Sequence, residues 1–135
     1  MADIFITYHT SILICGLIAT LFLLQLIIAD IVLFFNKHQA GHPIESDHQS
    51  FVFRATRAHA NTNESIAIYI LLLLFGLLSQ SAPDWLAFSS GLYGIARLAH
   101  MSFYYMNLQL ARSCAFGLGL VGLLSMLITG LTAWV

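Results

Sequence analysis

At 135 residues and 14.9 kDa, the chain has room for one domain. Hydrophobic residues make up 59% of it and charged residues only 8%, with a mean hydropathy of +0.86; a soluble domain carries about a quarter charged residues, so the composition excludes a soluble globule and gives an integral membrane protein. The net charge of -1 and the lack of any basic tract give no footing for nucleic acid.

The first apolar segment runs from about Ile4 to Phe35. It lacks the positive leader and small-residue cleavage site of a signal peptide, and reads as a retained transmembrane helix. Gln25 and Asp30 interrupt its second half, and Asp30 is expected to pair with an arginine of the next helix. Cys15 and Cys114 lie in or beside apolar runs and read as small buried hydrophobes, neither a disulfide nor a metal pair.

From Asn36 to Ser50 the chain turns polar, with Gly41 and Pro43 marking a loop. His38, His42 and His48 with Glu45 and Asp47 raise the question of a metal. Their spacing fits no ligand pattern and nothing in the sequence fixes the loop, so it reads as solvated, with no metal site.

The second helix, about residues 51–79, carries the densest polar chemistry: Arg54, Arg57, His59, Asn61 and Glu64 lead straight into the apolar run Ile66 to Leu78. That run makes only about 20 Å of helix at ~1.5 Å per residue, short of a hydrocarbon core of roughly 30 Å. The span must therefore include the polar residues. Arg54, Arg57, Asn61 and Glu64 fall on one stripe, and Thr56, His59 and Asn63 on nearly the opposite one. Charges at membrane depth cost at least ~2.5 kcal/mol each and survive against protein or a wet cavity. Polarity on two sides therefore points to a site between helices or between subunits. An ion pair of Arg57 with Glu64 that only braces a bundle is the simpler alternative.

Pro83 and Asp84 close a short turn and Trp85 sits where an interfacial aromatic belongs. The third helix, about 85–105, places Tyr93, Arg97, His100 and Tyr104 on one stripe. Asn107 to Ser113 reads as a tight connection containing Arg112. The last helix, about 113–134, holds Gly117, Gly119 and Gly122 in a G-x-G-x-x-G arrangement. No strand precedes it and it lies within a membrane span, so it is no dinucleotide site; the small residues suit close helix packing. Taken together, the segments predict an all-α membrane protein with a single domain over 1–135 built from four transmembrane helices. All five basic residues fall toward the first and third loops. The positive-inside rule then sets both termini outside and the polar end toward the cytoplasm; a bacterial inner membrane is the expected location.

The run Arg57-Ala58-His59-Ala60-Asn61-Thr62-Asn63-Glu64 resembles the R-A-H-x-N-x-x-E signature of the MAPEG family (membrane-associated proteins in eicosanoid and glutathione metabolism). Arg97-Leu98-Ala99-His100, Tyr104 and Arg112-Ser113 resemble its third-helix and third-loop positions. The resemblance implies a homotrimer of four-helix protomers with glutathione bound between subunits near the cytoplasmic face. It implies that Arg57, Asn61 and Glu64 hold the charged ends of glutathione, that His100 and Tyr104 line the same cleft, and that Arg54, His59 and Arg97 are further contacts. Arg112, beside Ser113, would activate the thiol. The chemistry suits these residues, because guanidinium forks bind carboxylates bidentately and Glu64 can take an ammonium. The implied function is a glutathione-dependent transferase or peroxidase acting on lipophilic electrophiles that arrive through the lipid. Asp30 and Ile31, where some members carry arginines, favour a rival: a non-catalytic glutathione-binding or structural membrane trimer.

Overall fold

Four apolar runs separated by polar breaks form four helices, each ended by an identifiable device. The structure, a computed structural model, describes residues 2–135. Its helices are α1 (Ala2–Phe35), α2 (Phe51–Leu78), α3 (Pro83–Tyr105) and α4 (Gln109–Leu131), followed by a single 3-10 turn over Thr132–Trp134. The first three helices stop in the same way. Lys37, Gln80 and Asn107 take left-handed backbone (φ 53, 52 and 59°). Each is followed by a residue whose N–H reaches back to the helix: His38 to the Leu33 carbonyl, Ser81 to Gly76, and Leu108 to Phe103. This is the Schellman arrangement, which satisfies carbonyls that would otherwise be left bare at a helix end. Proline at the first turn of α3 starts that helix without losing a hydrogen bond. The turn between α3 and α4 is shorter than the sequence suggested. Arg112 and Ser113 consequently stand in the first turns of α4 and not in the connection.

The helices run up and down, and α2 and α3 form the central pair. Each packs against all three other helices, whereas α1 and α4 flank them and do not touch each other. Two tyrosines cross-tie the centre reciprocally. Tyr93 of α3 is hydrogen-bonded to Ser65 of α2 at 2.8 Å, and Tyr69 of α2 to Ser90 of α3 at 2.7 Å. The two rings stack with centroids 4.8 Å apart and 9° between planes. Ser89 and Ser125 join α3 to α4 at 2.6 Å. With no water in a bilayer core, such hydroxyls must find partners in the protein. At one end of the bundle the Tyr8 hydroxyl donates to the Ser81 carbonyl at 2.6 Å, beside a local kink of α1 at Tyr8. At that same end the Trp134 indole donates to Ser79 at 2.9 Å.

Three helices are long and apolar enough to cross a membrane: α1 over Asp3–Phe35, α2 over Phe51–Leu78, and the stretch Gln109–Trp134. The helix α3 is not among them by composition, because its polar residues turn inward: Ser89, Ser90, Tyr93, Arg97, His100 and Tyr104 are all buried. Conversely, large apolar side chains such as Leu13, Leu17, Leu71, Leu74, Phe88, Ile95 and Leu124 lie on the outside, as they do where the solvent is lipid. Two expectations fail here. Asp30 is exposed and pairs with no arginine; the one ion pair among the described residues is Arg57 with Glu64. Cys114 also lies exposed on the outer face of α4, and only Cys15 is partly buried. Periodicity located both residues on their helices but did not say which way each helix would turn.

The closest helix approach is that of α3 with α4, and glycines permit it. A Cβ on Gly122 would sit 2.9 Å from the Tyr93 backbone nitrogen and 3.1 Å from its Cα, atoms that cannot yield without moving the helix. Gly117, five residues earlier on the same helix, has nothing within 4 Å. Gly122→Ala is therefore expected to destabilise the protein by about 1–3 kcal/mol through overpacking. Gly117→Ala should be neutral or stabilise by up to about 1 kcal/mol through helix propensity. Thermal unfolding of the two variants in detergent checks the contrast; equal melting temperatures would refute the close-approach assignment.

Candidate functional site

The polar residues of α2 diverge as the helix turns. Arg54, near its start, donates from Nη1 to the carbonyls of His48 and Gln49 at 2.7 and 2.8 Å, tying the first loop to the helix. Arg57 donates from Nη1 to Glu64 Oε1 at 2.9 Å, two turns along the same face. Their side chains are 43% and 55% exposed, so the pair faces away from the protomer. His59 points the other way and stacks on Phe22 of α1 with centroids 4.8 Å apart. It lines an apolar groove of about 370 Å³ with Cys15, Ile18, Tyr69 and Ile70. The two polar faces expected of α2 are present, but His59 is not with the other site residues.

Asn61 turns inward and meets α3. Its Oδ1 accepts from Arg97 Nη1 at 2.9 Å. Arg97 is only 1% exposed, and its guanidinium lies 5.5 Å from the ring centres of both Tyr93 and Phe116. Room for it comes from α4: a Cβ on Gly119 would stand 2.7 Å from Arg97 Nη2. No carboxylate neutralises this buried cation, whose bond to Asn61 is to a neutral oxygen.

Just beside that contact, α2, α3 and α4 border an open, shallow cavity of about 260 Å³ lined by Asn61, His100, Tyr104, Arg112, Ser113 and Phe116. Five residues singled out in the sequence thus meet at one place, from three helices. His100 is 3% exposed, and its Nδ1 has no hydrogen-bond partner in the protein. Arg112 lies over the Tyr104 ring, 4.5 Å from its centre. Ser113 Oγ donates to the Gln109 carbonyl at 3.1 Å, one turn back in its own helix. The start of α4 has neither a side-chain cap nor an acidic residue in its first turn, so its bare N–H groups and dipole add positive potential at the same place.

The first loop is largely exposed, as expected of a solvated segment, but it is tied down at several points. Besides the two bonds from Arg54, His38 Nε2 lies 3.0 Å from the His42 carbonyl and Asp47 Oδ1 accepts the Gln49 N–H at 2.9 Å. His48, which the sequence offered only as one histidine among three, reaches across to the cavity: its Nδ1 is 3.1 Å from Arg112 Nη1. Its ring stands edge-on to Phe53 at 4.8 Å and faces Tyr104 at 6.4 Å. A contact spanning 64 residues leaves no periodic trace in the sequence. The cross-ties of Ser65 and Ser90 to the tyrosines were also missed. The spacings Ser65 to Tyr69 and Ser90 to Tyr93 carry that signal, since each serine shares a helix face with its neighbouring tyrosine.

Neither a curated protein nor a solved structure matches the chain. A family model does, over residues 11–132, a range that takes in α2, α3, α4, most of α1 and every residue lining the cavity; the chain belongs to the MAPEG family.

Proposed function

We propose that the protein is a glutathione-dependent transferase or peroxidase acting on lipophilic electrophiles in the membrane. The family includes glutathione transferases and peroxidases among its members. The observation that carries the reading is the partnering of the arginines. Arg54 donates to backbone carbonyls, Arg97 to an amide oxygen and Arg112 to an imidazole nitrogen. Three guanidinium charges at one end of the bundle are held in place by neutral acceptors and remain unneutralised within the protomer. Together with the uncapped start of α4, they make a region built for an anion.

Glutathione fits that region by charge, with two carboxylates and a thiol that ionises; bound there, it supplies the sulfur nucleophile. The residues present then divide the work. Arg57 and Glu64 can exchange their mutual ion pair for a carboxylate and an ammonium. Asn61 and His100 offer polar groups in the cavity wall, and Phe116 an apolar one. A free thiol titrates near ~8.5, and an adjacent guanidinium brings this toward neutrality; Arg112 takes that role, with Ser113 beside it. The cavity of about 260 Å³ falls just below the roughly 300–1,000 Å³ of most ligand pockets. One protomer therefore holds part of the ligand, and a neighbour completes the cleft over the exposed Arg57 and Glu64.

The same reasoning supports a homotrimer in which α3 spans the membrane with the other helices and both termini face outward. Crosslinking or native mass measurement in detergent is expected to show three subunits. A monomer that still binds glutathione would refute the shared cleft. The rival reading, a non-catalytic glutathione-binding or structural trimer, draws on the unpaired Asp30, which puts a negative charge at the end of α1. Glutathione binding without a thiolate absorbance band or turnover would favour it.

Single substitutions separate binding from activation. Arg57→Ala should weaken glutathione affinity roughly ten- to a hundred-fold, the worth of a charge-assisted contact of about 1.5–3 kcal/mol. Its effect on kcat should be small, because that contact is made in the ground and transition states alike. Arg112→Ala should leave affinity nearly unchanged, raise the pKa of the bound thiol and lower kcat at neutral pH. The loss should be recovered in part as pH rises and the thiol ionises unaided. Titration of thiolate absorbance and turnover from about pH 6 to about pH 9 checks both; an unchanged pH profile in Arg112→Ala would remove Arg112 from the mechanism.

A further inference from the structure

Resting on the role just given to Arg112, we propose that His48 is a positioning residue for that guanidinium, holding it over the cavity through a neutral acceptor. Arginine can only donate hydrogen bonds, so at 3.1 Å from Arg112 Nη1 the His48 Nδ1 must carry the lone pair, and its proton resides on Nε2. The imidazole closes the third side of a seat for Arg112: the side chain rises from α4, lies over the Tyr104 ring of α3 at 4.5 Å, and is met from the loop by His48.

The choice of a neutral partner has a chemical consequence. A carboxylate in that position would hold the guanidinium more tightly and cancel the charge that a thiolate needs. An imidazole nitrogen fixes the geometry and leaves the full positive charge for the ligand. An arginine side chain has many rotamers to lose, so an unseated Arg112 would spend part of its time away from the cavity. The charged and titratable groups around His48 are Arg54 from α2, which binds its carbonyl, Tyr104 from α3, Arg112 from α4 and Asp47 beside it in the loop. Asp47 is turned onto the Gln49 N–H. The loop that supplies His48 is itself anchored by Arg54 through backbone carbonyls. Substitution of the His48 side chain therefore leaves that anchor in place.

Two variants test the assignment. His48→Phe keeps an aromatic ring against Phe53 and Tyr104 but has no acceptor. His48→Asn keeps an acceptor oxygen near the position of Nδ1. The first readout needs no activity: modification of Arg112 by phenylglyoxal, followed by mass spectrometry of its peptide, should be severalfold faster in His48→Phe and near wild-type in His48→Asn. The second uses glutathione: His48→Phe should raise the pKa of the bound thiol and lower kcat near neutral pH about three- to tenfold, the worth of one hydrogen bond. The KM for glutathione should change little, and His48→Asn should restore the wild-type profile. Equal Arg112 reactivity in wild type and His48→Phe would overturn the proposal, as would an unshifted thiol titration in an active His48→Phe enzyme. Failure of the underlying function looks different, because the wild-type protein itself would then neither ionise nor turn over glutathione.

Discussion

A guanidinium buried among transmembrane helices, with no carboxylate to neutralise it, sets the terms for the rest of this structure. Insertion scales put the cost of an arginine at the centre of a membrane helix at about 2.5–3.5 kcal/mol. The hydrogen bond from Arg97 to Asn61 and the faces of Tyr93 and Phe116 offset a cost of that size. Each of those partners comes from a different place: Asn61 from α2, Tyr93 from its own helix, Phe116 from α4. The guanidinium also needs the missing side chain at Gly119 to lie flat against α4. Placing Arg97 therefore fixes how close α4 comes and which face α2 turns inward. Once these are set, His100 and Tyr104, one and two turns further along α3, necessarily open into the angle between the same helices.

Away from the site, every hydroxyl of the Tyr69 and Tyr93 pair is matched by a serine on the facing helix, and Tyr8 and Trp134 bond across the far end. These cross-ties are specific, since each member would lose a partner if the register slipped, although the Oγ atoms of Ser11 and Ser81, buried at the far end, have no partner in the protein. At the other end the buried Nε of Arg97 and Nδ1 of His100 have no protein partner. Orphaned donors and acceptors there are costly unless water or a ligand supplies what the chain omits. The tyrosine–serine cross-ties hold α2 and α3 in register beside the site.

What could be read from the sequence follows from which interactions are local. Helix positions, the inward stripe of Tyr93, Arg97, His100 and Tyr104, and the divergence of His59 from Arg57 all come from periodicity, and the structure has them. Gly119 and Gly122 of α4 were legible as packing residues, whereas Gly117, read the same way, has nothing within 4 Å. The partner of each charge was not legible. Asp30 was assigned to an arginine because it stood at the right depth, yet depth says nothing about azimuth, and the residue faces outward. The first loop was read as solvated, and it is exposed, but its anchors were not legible, because Arg54 behind it and Arg112 far along the chain act through carbonyls and an imidazole that no sequence spacing marks. The tight connection between α3 and α4 was expected, but it is shorter than Asn107 to Ser113. Asn107 adopts the left-handed conformation that ends α3 within a single residue, and that brings Arg112 onto a helix instead of leaving it on a loop.

The same geometry bears on what surrounds the protomer. The outward pair Arg57–Glu64 begins about 10 Å into α2 and ends about 20 Å into it at ~1.5 Å per residue, so with a hydrocarbon core of roughly 30 Å ending near Leu78, Arg57 stands at the headgroup boundary and Glu64 inside it. Both side chains are roughly half exposed. A pair at that depth in contact with acyl chains would keep its mutual attraction but lose hydration on its outer side, and desolvation of ions commonly outweighs their attraction. Only protein or a polar ligand against that face removes the penalty, and a bundle in which α1 and α4 never meet cannot supply either from within. In the trimer proposed above, a neighbouring chain would cover the pair and would also roof the cavity beside Arg112. The features that make a solitary protomer costly in lipid are those that make a shared, anion-binding cleft favourable.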